Sequence, residues 1–209
     1  MKVLLLNGSS NEQGATFTAL NEIAKTLNLQ NIETEIFQLG NPAIRDCCGC
    51  QSCRSKNLGK CVFDDGLVNE FIEKAKVSDG FVFGTPVYYA HPTGRILSFL
   101  DRAFYAGGSA FAFKPACAIA SARRSGVVTS FDTLNKYFTI NNMPVISSTY
   151  WNNIHGNNAL EASQDLEGLQ TMRNLANNMV WLLNCINLGK QNGINPPVVE
   201  KNVRTNFIK

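Results

Sequence analysis

The sequence predicts an α/β domain, a parallel sheet with helices on both faces. Three observations predict it. Short apolar runs recur, such as Val3 to Leu6 and Phe81 to Phe83, and each stops at a turn signal. Between them lie longer stretches whose apolar residues return every three or four positions, the spacing of one helix face. The two patterns alternate five times, and strand–helix–strand repeats join neighbouring strands in parallel.

Residues 2–6 read as the first strand, ended by Asn7-Gly8-Ser9-Ser10. Ala15 to Leu27 carries Phe17, Leu20, Ile23, Ala24 and Leu27 at helical spacing. Ile32 to Leu39 alternates and reads as the second strand. Asp65 to Val77 holds Leu67, Phe71, Ile72 and Ala75 on one helix face, and Asp64-Asp65 suits its positive start. Gly80 to Gly84 reads as the third strand, broken by Thr85-Pro86. Arg95 to Tyr105 reads as a helix, Ala116 to Ala122 as the fourth strand, Thr129 to Ile140 as a helix and Pro144 to Thr149 as the last strand. Gln164 to Leu188 is a long amphipathic helix with Leu169, Met172, Leu175, Ala176, Met179 and Leu183 near one face. Beyond it periodicity fades, and Pro196-Pro197 marks an extended tail over 191–209, packed on its own domain or on a partner subunit. The 209 residues therefore read as one domain, 1–190, plus that tail.

The composition narrows the function. An apolar fraction of 44% supports a sizeable core. A net charge of +3, with Arg123-Arg124 as the longest dense basic feature, excludes a dedicated nucleic-acid binder. The apolar start is too short for an export signal, and no run approaches the roughly 18–20 apolar residues of a membrane helix. A soluble, cytoplasmic protein is expected. Five of the seven cysteines fall between Cys47 and Cys61, a clustering that reads as metal binding or redox chemistry and not as a disulfide framework.

Parallel sheets bind ligands at the carboxyl ends of their strands, so the loops after strands one, three and four carry the functional reading. The first, Asn7 to Thr16, is rich in glycine and hydroxyls and leads into a helix N-terminus, a favourable place for a phosphate. It has neither the lysine of a nucleoside-triphosphate loop nor the Gly-x-Gly-x-x-Gly of a dinucleotide fold. It suits the terminal phosphate of flavin mononucleotide, or it is an ordinary capped turn. The second loop, Gly84 to Gly94, offers Pro86, Val87, Tyr88 and Tyr89 as a wall for a flat aromatic ring. The third, Ser121 to Gly126, holds Arg123, which would stabilise a reduced flavin or bind a dinucleotide phosphate, or stand in solvent.

Gly8-Ser9-Ser10-Asn11-Glu12-Gln13-Gly14-Ala15-Thr16 and Thr85-Pro86-Val87-Tyr88-Tyr89, followed by Phe99-Leu100-Asp101-Arg102, resemble the NADPH-dependent FMN reductase family of flavodoxin-like proteins over residues 1 to about 190. The resemblance implies a three-layer flavodoxin-like fold with a five-stranded parallel sheet of order 2-1-3-4-5. It also implies FMN as cofactor, NAD(P)H as electron donor, and a second acceptor such as a quinone, a nitro or azo compound or a redox protein. A homodimer or higher oligomer is expected. Carried over, Ser9, Asn11, Gly14, Ala15 and Thr16 face the phosphate, Pro86, Val87, Tyr88 and Tyr89 the ring, and Ser121, Arg123 and Gly126 its pyrimidine edge. The family pattern has a basic residue where Asn11 stands and an asparagine where Ala15 stands.

Cys47, Cys50, Cys53 and Cys61 follow Cys-x2-Cys-x2-Cys-x7-Cys in an insertion over about 45–63, after strand two. Four such thiolates can take the corners of a cubane cluster or a tetrahedral zinc, or remain free thiols, some of them a redox pair; Cys48 is an extra thiol. The segment, with Asp64-Asp65 behind it, resembles the iron–sulfur flavoproteins, which implies a [4Fe–4S] cluster on those four cysteines. The flavin carries the chemistry, so no catalytic side chain is expected, and His91 and His155 read as structural or surface residues. Two rivals remain. One is an electron carrier that never oxidises NAD(P)H; the other is a redox or metal sensor that uses only the cysteines.

Overall fold

The computed structural model describes residues 1–208. Its sheet contains β1 (Lys2–Asn7), β2 (Glu33–Gln38), β3 (Gly80–Tyr88), β4 (His91–Pro92), β5 (Ala116–Ala122) and β6 (Asn153–His155). Five of these are parallel, in the order β2-β1-β3-β5-β6, and β4 pairs antiparallel with the end of β3. In chain order the parallel strands run 2-1-3-4-5, as the sequence implied, with β4 as an addition. The helices are α1 (Ala15–Leu29), α2 (Ser52–Ser55), α3 (Leu67–Lys76), α4 (Gly94–Gly107), α5 (Val127–Ile140), α6 (Ala159–Ala162) and α7 (Leu166–Gln191). No helix among the described residues is long and apolar enough to cross a membrane.

Strands buried on both faces explain the unbroken apolar runs. Leu4 and Leu6 of β1 face one core with Phe81, Phe83, Val68, Phe71, Ile72, Phe99 and Leu100. Val3 and Leu5 face the other, with Val82, Ile119, Leu20, Ile23, Met172, Leu175 and Met179. Thus α3, α4 and α5 cover one side of the sheet and α1 and α7 the other. The first core is aromatic. The Phe71 ring lies 5.3 Å from Phe37, 5.2 Å from Phe99, 6.2 Å from Phe83 and 6.0 Å from Phe111.

Two strand assignments need correction. β3 does not break at Thr85-Pro86 but runs on to Tyr88. Phe81 donates to Pro115 O on the β5 side, so by strand alternation the nitrogen of Pro86 faces the β1 side. There β1 has already ended at Asn7, paired with Gly84, so the missing N–H costs no ladder bond. The last strand is not Pro144 to Thr149. Val145 only bridges Ala116, residues 147–151 swing out, and the edge resumes as β6. Asn152 bridges the break, with its amide donating to Ala118 O at 3.1 Å and its carbonyl accepting from Ala120 N at 3.0 Å. Asp65 lies ahead of α3, whose N-cap is Gly66, and its side chain is committed elsewhere.

On the exposed edge Glu35 joins Lys2 at 2.7 Å and Lys74 at 2.8 Å, tying β2 to β1 and α3. The Lys2 bond, then Lys74, holds its carboxyl below the ordinary 4.5. A depressed carboxylate contributes stability that is present above its ordinary value and lost as pH falls through the folded one. Glu35→Gln should therefore be less stable than the wild type at neutral pH, with the gap closing below about pH 4.5 in denaturation series. Phe71→Ala should cost about 3–5 kcal/mol in urea unfolding, through lost burial and the cavity left behind.

Candidate functional site

Three loops meet at the carboxyl edge of the sheet. In the first, short polar side chains curl the backbone in succession. Asn7 Oδ1 accepts from Ser9 N at 3.1 Å, Ser9 Oγ from Asn11 N at 3.1 Å, and Asn11 Oδ1 from Gln13 N at 3.2 Å. Gln38, at the end of β2, donates to Ser9 O at 2.6 Å and braces the loop from the side. Gly14 is the N-cap of α1, and no side chain caps this helix. The N–H groups of Ala15, Thr16 and Phe17 therefore have no intrahelical acceptor and form a row of donors suited to an anion. Thr16 is buried, and its hydroxyl lies 2.7 Å from Ser121 Oγ, linking the first loop to the end of β5.

The second loop is a hairpin. Val87 pairs with Pro92 and Tyr88 with His91, across a two-residue turn of Tyr89 and Ala90. Both turn residues are left-handed, at φ 49° and 60°. This is the primed turn that tight hairpins demand, but built without glycine, at a strain of about 1–3 kcal/mol per residue. Tyr89 is 99% exposed and Tyr88 half-exposed, whereas Pro86 and Val87 are partly buried at the base.

The third loop carries exposed Arg123 and Arg124 and ends at Gly126, with φ +90°. A Cβ on Gly126 would lie 2.6 Å from Ala90 Cα and 2.7 Å from Val87 Cγ1, so the third loop packs directly on the hairpin. His155 is exposed, with its Nε2 3.1 Å from Arg124 O, a supporting position. The three segments expected from the sequence are thus brought together pairwise: first to third through Thr16 and Ser121, second to third through Gly126.

The cysteine insertion leaves β2, passes α2 and rejoins the core at α3. Cys47, Cys48, Cys50, Cys53 and Cys61 line one cavity with Phe63, Arg102 and Tyr105. Cys61 is buried, Cys47 and Cys53 are half-buried, and Cys48 and Cys50 are exposed. Burial pushes the Cys53 thiol up, and negative charge on Cys61 and Cys50 adds to this. Hydrogen bonds from Ser52 pull Cys50 down. Among the described residues no three His, Cys, Asp or Glu side chains are disposed around a single ion; the thiols ring the cavity instead.

Arg102 closes the floor of this cavity at 1% exposure. Its Nη2 donates to Asp65 Oδ1 at 2.9 Å and to Phe63 O at 2.7 Å, its Nη1 to Asp65 Oδ2 and to Arg45 O, and its Nε lies 3.4 Å from Cys61 Sγ. Burial lowers the guanidinium pKa, but Asp65 and Cys61 outweigh it and the net shift is upward. Sequence reasoning missed this role. The signal was available: a charge at position 102 interrupts the buried stripe of Ile96, Phe99, Leu100 and Ala103.

A doubly wound sheet with a hydroxyl-rich loop at its first strand end is the framework of flavodoxin-like proteins. Residues 1–158 match the sequence profile of the family described as NADPH-dependent FMN reductase, and the chain belongs to that family. Two iron–sulfur flavoproteins of Methanocaldococcus jannaschii are similar to it. One is 27% identical, covering 89% of this chain and 99% of the relative; the other is 29% identical, covering 88% and 97%. The crystal structure of RosB with a bound intermediate, 8-demethyl-8-formylriboflavin-5'-phosphate, shares the fold with a TM-score of 0.70 at 15% identity, covering 100% of this chain and 94% of that one.

Gly126→Ala should lose more than about 1 kcal/mol of stability, because both the positive φ and the hairpin backbone oppose a methyl group. A thermal melt beside Gly193→Ala, another positive-φ glycine but one with nothing near its Cβ, separates conformational strain from the clash.

Proposed function

We propose that this protein is an FMN-dependent oxidoreductase that takes electrons from NAD(P)H and passes them to a second acceptor, a quinone, a nitro or azo compound or a redox protein. The row of uncapped N–H groups at the start of α1, enclosed by three loops that touch one another, carries this reading. Ser9, Asn11, Gly14, Ala15 and Thr16 bind the phosphate, chiefly through the N–H groups at the start of α1, because the Thr16 hydroxyl is engaged by Ser121 and the N–H groups of Ser9 and Asn11 are engaged within the loop. Pro86, Val87, Tyr88 and Tyr89 wall the ring, and Ser121, Arg123 and Gly126 border its pyrimidine edge. Bound FMN supplies the two-electron and one-electron chemistry. The protein positions the cofactor, and the cation of Arg123 favours negative charge on the reduced ring.

Cys47, Cys50, Cys53 and Cys61 hold a [4Fe–4S] cluster, which supplies single-electron relay. Two features support this: the ring of thiols around one cavity, and the family relatives named iron–sulfur flavoproteins. The unpaired, clustered thiols suit a reducing compartment, and we place the protein in the cytoplasm as a homodimer or higher oligomer.

Protein purified without oxygen should show flavin absorption and about four irons per chain. Anaerobic mixing with NADH or NADPH should bleach the flavin. Flavin that stays oxidised would sink the reductase reading and leave an electron carrier; protein with neither flavin nor iron would overturn both parts. Cys61→Ser should lower the iron content while flavin absorption persists.

A further inference from the structure

We propose that Arg102 sets the reduction potential of the cluster, as a charged N–H donor to the sulfur of Cys61 that favours the reduced state. This rests on the cluster reading above.

A guanidinium has five N–H donors in a fixed plane. Four of those on Arg102 go to oxygen, in the clamp formed by Asp65, Phe63 and Arg45; the fifth, on Nε, faces Cys61 Sγ at 3.4 Å. The clamp fixes the plane, and the plane aims Nε at the sulfur. A salt bridge serving only to pin the insertion needs no such fifth contact, and a lysine could anchor Asp65 without presenting a second donor in a fixed direction.

The charges are also unequally placed. The Arg102 side chain is 1% exposed and that of Asp65 40%. Water therefore screens the carboxylate more than the guanidinium, and the cavity feels a net positive field. Asp46, also lining the cavity, opposes that field, but it is exposed and more strongly screened. Reduction adds one electron to a group already ligated by four thiolates, and hydrogen bonds to the sulfurs together with net charge set the potential of such clusters. A buried cation bonded to one sulfur shifts that balance toward the reduced form. No proton need move, because Arg102 is charged in both states.

The test is an anaerobic potentiometric titration of the iron-loaded protein, followed by electron paramagnetic resonance. Arg102→Lys should lower the reduced-to-oxidised ratio at a fixed potential up to tenfold, about 59 mV for one electron. Asp65→Asn keeps the donor and removes its counter-charge, so it should shift the midpoint the other way. The flavin midpoint, read in the same titration, should hold in both. An iron-loaded Arg102→Lys protein with the wild-type midpoint overturns the proposal, as does a negative shift in Asp65→Asn. If Arg102→Lys binds no iron, Asp65→Asn decides; loss of iron from both assigns the pair to folding alone and overturns it. Wild-type protein with flavin but no iron is instead the failure of the cluster reading.

Discussion

The hydrogen bond from Gly8 N to Gly84 O, 2.8 Å long, ties the chain just past the end of β1 to the middle of β3, where the first loop turns away from the sheet. The functional edge is built outward from it. A Cβ on Gly8 would lie 2.8 Å from that same carbonyl and 2.7 Å from Ile96 Cδ1. A Cβ on Gly84 would lie 2.9 Å from Thr16 Cγ2 and 3.1 Å from Leu20 Cδ1. A glycine inside a strand, such as Gly84, gives up about 0.5–1 kcal/mol relative to alanine. In return α1 settles directly on the sheet and Thr16 reaches Ser121. Bulkier residues would lift the helix start, and with it the row of N–H donors, away from the other two loops.

The cysteine insertion depends on a different kind of contact. It has little regular structure beyond α2, and much of it is exposed. Its order comes from being gripped. Arg102 fastens Phe63, Asp65 and Arg45 from below, Asn69 brackets Cys61 with bonds at 2.8 and 3.0 Å, and Arg54 lies 3.7 Å above the Tyr105 ring. A buried guanidinium costs several kcal/mol in lost hydration unless every donor is met. Here all five are met, which makes the grip both strong and direction-specific.

The sequence made the fold legible because burial on both sheet faces leaves a plain signature: apolar runs where strands lie and three-to-four spacing where helices lie. The site was legible to the extent that it is local. The loop at 8–16 announces itself by composition, and the structure places it where the alternation put it. What escaped was decided by partners distant in sequence. Pro86 reads as a strand breaker until the neighbour it would have bonded is seen to have ended. Residues 144–149 read as a strand, but the ladder is completed by the side chain of Asn152 instead. Asp65 reads as a helix-dipole residue until Arg102, 37 positions on, appears opposite it.

One helix links the two regions. Thr93 caps α4, accepting from Ile96 N at 3.2 Å, and its own N–H donates to Thr85 Oγ1 at 3.3 Å, so the start of α4 is fixed to the strand that carries the Tyr88–His91 hairpin. One residue into α4, Arg95 reaches back to the carbonyls of Gly40 and Asn41, where the insertion leaves the sheet. Two turns further, about 12 Å along the axis from Gly94, Arg102 holds the far side of the same insertion. A hydrogen-bonded helix whose inner face is packed into the core does not stretch, so the distance between the loops at its start and the thiols near its end is fixed by the rise of its backbone. The proposed electron relay would need that constancy, since it would work across a gap that no ligand spans. The insertion can be loosely folded and still be accurately placed, because α4 supplies the rigidity that its own short segments lack.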